Sequence, residues 1–345
     1  MSSENTPLLP TKKQQREFSI SRKVGLTITF TIVFIIVFIS SFFIQNDKMN
    51  INGPSIHLKI YTNNIRFDNK NHPDKNEQPW AVRKIQSINS MRFNTFLGNA
   101  NVICLQEVLH NQLIDILNGL NEFEEWDYYG VGRTDGKTAG EYAPILYKKK
   151  DFNVLDTKTF WLSPTPDVPS KGWDAALERI ATMVTFQSKA NPLIKFNVFN
   201  THYDHIGVVA RHKSTELIIT KLNVNEYPSF LAGDLNTEPT DEPYSILKNS
   251  GWKDSHEFID KKYSYGFNDT FTGFSGEAST RIDYVWSPSY TKSFSGVNQK
   301  SNASEYFDVT LEQFGVLSNW FDGHYFSDHR PVSATYEISR SKILL

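Results

Sequence analysis

Phe326-Ser327-Asp328-His329-Arg330-Pro331, near the end of the chain, and Gly233-Asp234-Leu235-Asn236, directly behind the apolar run Phe230-Leu231-Ala232, decide how the rest of the sequence is read. An acidic residue beside a histidine and a Gly-Asp-x-Asn at a strand end are what metal-assisted cleavage of a phosphate ester needs. The carboxylates can hold a hard cation, and an ionisable ring can manage a proton. Working outward, Ile56, Leu58 and Ile60 alternate with His57, Lys59 and Tyr61, the period of a strand ending near Asn63 and Asn64. Val102-Ile103-Cys104-Leu105 reads as a buried strand before Glu107; Phe196, Val198 and Asn200 lead to His202, and Ile282, Tyr284 and Val285 surround Asp283. Polar and ionisable residues thus collect at strand ends, where an α/β scaffold places its site. Between the strands, Val82, Ile85, Ile88 and Met91 predict one helix face. Leu109, Leu113, Ile116, Leu117 and Leu120 predict a second, stopped near Gly119.

Length alone, 345 residues, allows two domains, but the first fifty are unlike the rest and no later stretch reads as a linker. One catalytic domain over 51–345 is expected, large enough for a two-sheet core. The 36 basic residues nearly balance the 38 acidic ones, so the basic surplus that usually accompanies a grip on duplex nucleic acid is missing. Cys104 is the single cysteine, which excludes an intramolecular disulfide and a cysteine-rich metal site; its setting suits a small buried hydrophobe better than a catalytic thiol. There is no G-x-x-x-x-G-K-[ST] phosphate loop and no G-x-S-x-G nucleophile elbow.

From Gly25 to Ile44 the chain reads GLTITFTIVFIIVFISSFFI, without a charge and long enough to cross the hydrocarbon core of a bilayer. A cleaved signal peptide has a shorter apolar stretch and a small-x-small site after it, whereas Phe42, Phe43 and Ile44 are bulky. Lys12, Lys13, Arg16, Arg22 and Lys23 precede the span, and Asp47 and Lys48 after it cancel. The expectation is a cytoplasmic tail at 1–24, a membrane anchor at 25–44 and a catalytic domain facing a lumen or the outside. Sequons at Asn268 and Asn302 would then meet any glycosylating machinery of the host. Glu4, Leu8 and Leu9 in the tail resemble an acidic dileucine signal read by sorting adaptors for lysosomes or vacuoles; the alternative is a plain polar tail with two leucines.

Each candidate site residue has a bland reading of its own. Asn64 could close a turn, Glu107 could favour the start of the next helix, Asp234 and Asn236 could form an Asx-type turn, and His202 or His329 could be a satisfied structural histidine. Together, five segments supply oxygen ligands, two histidines and amide donors with no thiolate, a set that suits Mg²⁺ or Mn²⁺ rather than Zn²⁺. Such an ion polarises a phosphoryl oxygen while a carboxylate or histidine deprotonates water.

These blocks, with Tyr61 to Asn69, Leu105-Gln106-Glu107-Val108, Gly130-Val131-Gly132-Arg133, Gly140 to Ile145, Asn200 to His205 and Arg281-Ile282-Asp283-Tyr284 in register, closely resemble the endonuclease/exonuclease/phosphatase, or DNase I-like, family from about Ile56 to Tyr336. The resemblance implies an α/β four-layer sandwich of two mixed β-sheets flanked by helices. It implies Glu107 as principal metal ligand, with Asn64 and Asp328 close to the metal. His329 would pair with Asp283, which orients the ring and favours its protonated form. Asp234 would orient or deprotonate water, and Asn236 and His202 would hydrogen-bond phosphate oxygens.

Substrate is less legible. Phe160 to Thr165 and Gly172 to Ala175 read as an aromatic, Pro-rich loop, so Trp161, Trp173 and Tyr142 are candidate substrate contacts, against the alternative of tryptophans that pin their own loop. The family spans nucleases, sphingomyelinases and phosphatases. The leading expectation is a membrane-anchored phosphodiesterase of nuclease type. A lipid phosphodiesterase acting on phospholipid headgroups and a phosphatase are the alternatives, with a non-catalytic scaffold behind them.

Overall fold

The alternation at Ile56, Leu58 and Ile60 becomes strand β1 (Ile56–Asn64) in a computed structural model that describes residues 55–96, 100–122, 125–276, 280–293 and 307–340. The expected tail with Glu4, Leu8 and Leu9, the apolar segment 25–44 and Asn302 all lie outside the described residues; among those described, no helix is long and apolar enough to cross a membrane. In chain order, β1 is followed by α1 (Trp80–Thr95), β2 (Ala100–Gln106), α2 (His110–Leu120), β3 (Trp126–Tyr129), β4 (Ile145–Lys148), β5 (Phe152–Trp161), β6 (Ile180–Ser188) and β7 (Lys195–His202). Then come α3 (Val208–Leu222), β8 (Ser229–Asp234), α4 (Glu242–Asn249), β9 (Lys253–Asp254), α5 (Ser255–Phe258), β10 (Ser264–Gly266), β11 (Asp283–Ser287) and β12 (Lys292–Ser293). The last strands are β13 (Phe307–Val316), β14 (Trp320–Phe321), β15 (His324–Tyr325) and β16 (Val332–Arg340).

Two mixed sheets result. One runs β10-β13-β16-β1-β2-β4-β3 with β12 beside β13, the other β5-β6-β7-β8-β11-β9, and β14 and β15 pair separately. Strands β1 and β2 are parallel, as are β7 and β8, while β16 and β11 join them antiparallel. Alternation explains the layering. Leu58, Ile60, Val102 and Cys104 point between the sheets against Val198, Phe230, Ala232 and Val285, while Tyr61, Ile103 and Leu105 point outward against α1 and α2. On the far side Phe199, Leu231 and Trp286 bury against Ile218 and Leu222 of α3 and Tyr244 and Leu247 of α4. The order is helix, sheet, sheet, helix, and Cys104 is fully buried in it.

Both predicted helices form, but the first is rotated from its expected face. Trp80, Arg83, Ser87, Ile88 and Met91 are buried, whereas Val82 and Ile85 are exposed, because the indole of Trp80 and the aliphatic stem of Arg83 fill the inner stripe. Gly119 does not stop α2. A Cβ there would sit 2.9 Å from Ile88, so the glycine lets α1 and α2 approach, and Asn121 closes the helix through its N–H to Leu117 O.

Register fixes the site. Asn64 lies opposite Gln106 at the ends of β1 and β2, His202 opposite Asp234 at the ends of β7 and β8, and Asp234 opposite Asp283 at the start of β11. Gly233 is needed here, with φ of 138° and a notional Cβ only 2.0 Å from Thr201 O. One edge of the sandwich therefore carries four strand ends with polar residues on each.

Candidate active site

Asn64 is the last residue of β1, Glu107 follows β2, and the two meet where the parallel strands end. Asn64 Nδ2 donates to Glu107 Oε1 at 3.0 Å and to Asp234 Oδ2 at 3.0 Å, linking the two sheets through one amide. Glu107 Oε2 accepts from Phe67 N–H at 3.1 Å. Glu107, Arg66 and Asn236 all hold left-handed backbone, with φ of 59°, 57° and 43°. Such non-glycine geometry costs roughly 1–3 kcal/mol and clusters at functional sites. Fully buried Arg83 secures the loop: Nη1 donates to Ile65 O and Phe326 O, Nη2 to Arg66 O and Phe67 O, and Nε to Gln78 O. It thereby ties the segment after Asn64 to the segment before Asp328. Ser327 Oγ, donating to Asn64 O at 2.5 Å, adds a second tie.

His329 and Asp283 pair as expected, Nδ1 to Oδ2 at 2.9 Å, both buried. Burial alone would lower the His329 pKa, but Asp283, with Asp234 at 3.8 Å from Nε2, raises it well above the ordinary histidine value, so the ring is cationic at neutral pH. Asp234 is pushed up to about 7 by burial and the charge of Asp283, against the opposing pull of His329, Asn236 N–H and Asn64. A carboxyl poised near neutrality suits a base.

Asn236 Nδ2 contacts both Tyr203 O and His202 Nε2 at 3.0 Å. A carbonyl can only accept, so this atom is the amide nitrogen, His202 Nε2 accepts and Nδ1 carries the ring proton. Burial and the guanidinium groups of Arg179 and Arg133 pull His202 well below the ordinary value and keep it neutral. Both amide protons of Asn236 are engaged, so in this arrangement it fixes His202 and does not offer itself to phosphate. The buried Nδ1 of His202 has no protein partner among the described residues.

Glu107, Asp234, Asn236, His202, Asp328 and His329 line one cleft of about 680 Å³, together with Arg66, Lys75, Glu141, Arg179, His205 and Phe271. Asn64 and Asp283 are buried behind that lining. None of the three aromatic candidates lines this cleft. Tyr142 is buried, its N–H pairs with Val108 O at 2.8 Å and its hydroxyl meets His110 Nδ1, so it seats the stretch beside Glu107. Trp161 ends β5 with its indole N–H on Arg133 O at 2.7 Å, and so pins the loop that carries Arg133 to the end of β5. Trp173 is 38% exposed and outside the lining. Residues not singled out beforehand are Glu141, Arg133, Arg179, His205, Arg66 and Arg83. Glu141, Arg133, Arg66 and His205 lie within the motif blocks that carry the family resemblance, whereas a lone arginine before a strand, as Arg179 is, carries no sequence signal.

The donor set fits a hard divalent cation. Glu107 and Asp328 face the cleft with Asn64 beside them, and Asp328 is raised to about 6 by burial and the neighbouring Glu107 charge, partly offset by His329. Burial raises Glu107 too, yet Asn64, Arg66, His329 and Phe67 N–H hold it below the usual value, so it stays anionic. Two crowded carboxylates of this kind are what a bound cation would relieve. Asp234, Asp283 and His329 also bring ligand atoms within 4.8 Å of one another, but His329 Nδ1 is committed to Asp283 and the ring is protonated, which makes this group a relay and a poor metal centre.

A two-sheet α/β sandwich with carboxylates, amides and a histidine–aspartate pair at one edge defines the class of DNase I-like phosphoesterases. The chain belongs to the Endonuclease/Exonuclease/phosphatase family, whose profile matches residues 64–329. Family members are hydrolases acting on phosphate esters, typically with a divalent metal. A family protein from Bacteroides thetaiotaomicron superimposes with a TM-score of 0.71 at 30% identity, over 83% of this chain and 99% of that one. The mannosyl-6-phosphatase of the same bacterium gives 0.68 at 30% identity, over 81% and 99%. An uncharacterised protein of Acanthamoeba polyphaga mimivirus is 34% identical over 182 residues, 51% of this chain and 67% of that one.

Proposed function

We propose that the domain hydrolyses phosphate monoesters of small molecules, with a divalent cation, Mg²⁺ or Mn²⁺, held by Glu107 and Asp328 beside Asn64. The chemistry rests on one observation: Glu107, Asp234 and the His329–Asp283 pair converge on a single cleft. The bound ion would supply charge neutralisation at the phosphoryl and leaving oxygens. Asp234, held by Asn64 and the Asn236 N–H, takes a proton from the attacking water. His329, kept cationic by Asp283, donates to a phosphoryl oxygen and stabilises the charge that builds there. His202 presents Nδ1–H to another oxygen.

A small monoester is favoured over a polynucleotide or a lipid diester by the lining charges. Asp74, Glu107, Glu141, Asp234 and Asp328 outnumber Arg66, Lys75, Arg179 and the cationic His329, so no basic track for a phosphate backbone is built into this cleft. The mannosyl-6-phosphatase at 30% identity points the same way. The test assays the full chain and Glu107→Ala on mannose 6-phosphate, p-nitrophenyl phosphate, single-stranded DNA, RNA and sphingomyelin, with Mg²⁺ and with chelator. Metal-dependent release of phosphate from the monoesters, lost in the variant, is expected. Faster cleavage of DNA, RNA or sphingomyelin would restore the nuclease or lipid reading.

The domain is further proposed to be tethered by 25–44 with its site on the lumenal or outer face, and the tail motif at Glu4, Leu8 and Leu9 to meet a sorting adaptor. Asn268 is exposed, as a glycan acceptor must be. Digestion of the domain by protease added to the cytoplasmic side of sealed vesicles would refute this orientation.

A further inference from the structure

Beyond His202, the cleft wall carries groups that hydrolysis does not use. Arg179, directly before β6, is 4% exposed and lines the cleft. Its Nε donates to Asp204 Oδ2 at 3.3 Å and its Nη2 meets His205 Nδ1 at 3.0 Å. Nη1 is buried without a protein partner among the described residues. A buried guanidinium donor left open is costly, and native proteins seldom leave one without an acceptor. Because His205 Nδ1 accepts from Arg179, its Nε2 carries the proton and becomes a second donor on this wall.

The acceptor on this wall for a bound group is Glu141. Arg133 holds it bidentately, Nη1 to Oε2 and Nη2 to Oε1, each at 2.8 Å, and its Oε2 lies 3.9 Å from His202 Nδ1. That places Glu141 next to the phosphate-binding histidine with lone pairs to spare. Leu177 and Phe271 supply apolar surface in the same cleft.

We infer that this wall is a subsite for the hydroxyl groups of a sugar or polyol that carries the scissile phosphate, and that Arg179 sets the specificity for it. The inference rests on the monoesterase reading above. A hydroxyl can accept from Arg179 and donate to Glu141 at once, which neither a second anion nor an alkyl chain can do. A second anion is also repelled by Glu141 and Glu107. Recognition of this type discriminates strongly, since a substrate without the hydroxyls leaves buried polar groups unpaired.

The experiment compares full-length wild type, Arg179→Met and Arg179→Lys on mannose 6-phosphate and p-nitrophenyl phosphate. The readout is the ratio of the two kcat/KM values, with KM and kcat separated and the melting temperature recorded. The ratio is expected to fall roughly ten- to hundred-fold, the worth of one hydrogen bond from a charged group, and mainly through KM. Arg179→Lys keeps a cation beside Asp204 while removing the open fork, so it decides the matter if Arg179→Met does not fold. An unchanged ratio in a folded variant overturns the subsite. Binding of mannose 6-phosphate to the Asp234→Asn protein, with and without Arg179→Lys, separates the two readings. Arg179-dependent binding without turnover of any monoester by wild type would sink the proposed function and leave the subsite standing. Failure of the Asp234→Asn protein to bind mannose 6-phosphate would sink the subsite.

Discussion

His329 needs to be protonated and Asp234 deprotonated for the proposed chemistry, and their surroundings move both pKa values in directions that set a pH window. Asp234 gains activity as it deprotonates through about 7, and activity is then lost as pH rises through the elevated pKa of His329. Asp283 is the largest cause of that elevation after the opposing effect of burial. Asp283→Asn is therefore expected to move both limbs of kcat/KM to lower pH, the alkaline one because His329 loses its partner and the acid one because Asp234 loses a repelling charge; a pH profile with both limbs unmoved would refute the pairing. Asp234→Asn is expected to cost about 10²–10⁴ in kcat, the usual worth of a positioned base. At this scale the sequence was informative where chemistry demands a residue type at a strand end, as at Glu107, Asp234 and His329. It was silent about Arg83 and Arg179, because a buried arginine bonded to carbonyls looks like any surface arginine until the fold surrounds it.

Elements are held at the site by polar staples as much as by apolar faces. Asp204, after β7, accepts N–H groups from Ala176, Leu177, Ile206 and Gly207, and the Nε of Arg179, so one carboxylate fixes the loop before β6 and the start of α3. Burial opposes its ionisation, but these donors hold its pKa far below the usual carboxylate range. A depressed folded pKa means a contribution fully present above the unfolded value of about 3.9 and lost only as pH falls below it. Asp204→Ala is expected to cost on the order of 3 kcal/mol in urea titrations at pH 7, and clearly less near pH 2. Equal losses at both pH values would show that the contribution is not ionic. Arg83→Met should lower kcat more than it lowers the melting temperature alone explains, because the Ile65 to Phe67 loop and Phe326 lose their shared donor. Strand positions were legible because period-two alternation survives burial on one side. The face of α1 was not, since Trp80 and Arg83 took the inner stripe from Val82 and Ile85, and Trp161 was hidden because a buried strand end and an aromatic loop have the same composition.

Across the whole domain, the apolar interior between the sheets forces buried carboxylates together at one edge. Phe230 packs against Phe196 and Tyr336 in that interior, and it precedes Asp234 on the same strand. The domain thus bears an electrostatic cost at the cleft, visible in the raised pKa values of Asp328, Asp234 and Glu141, each first through burial and then through neighbouring negative charge. A cation that binds the native cleft and not the unfolded chain removes part of this cost, so it must stabilise the fold as well as enable the chemistry. At a hundred times its dissociation constant, Mg²⁺ would add about 2.7 kcal/mol. For a domain of this size that is a rise in melting temperature of roughly 4–5 °C, reversed by chelator. Glu107→Ala should abolish the rise, since it removes the anionic ligand that Asn64 and Phe67 hold ready, while the sheet core is untouched. A Mg²⁺-induced rise that persists undiminished in Glu107→Ala would place the ion elsewhere, and Asp234→Asn would then be the variant to show where.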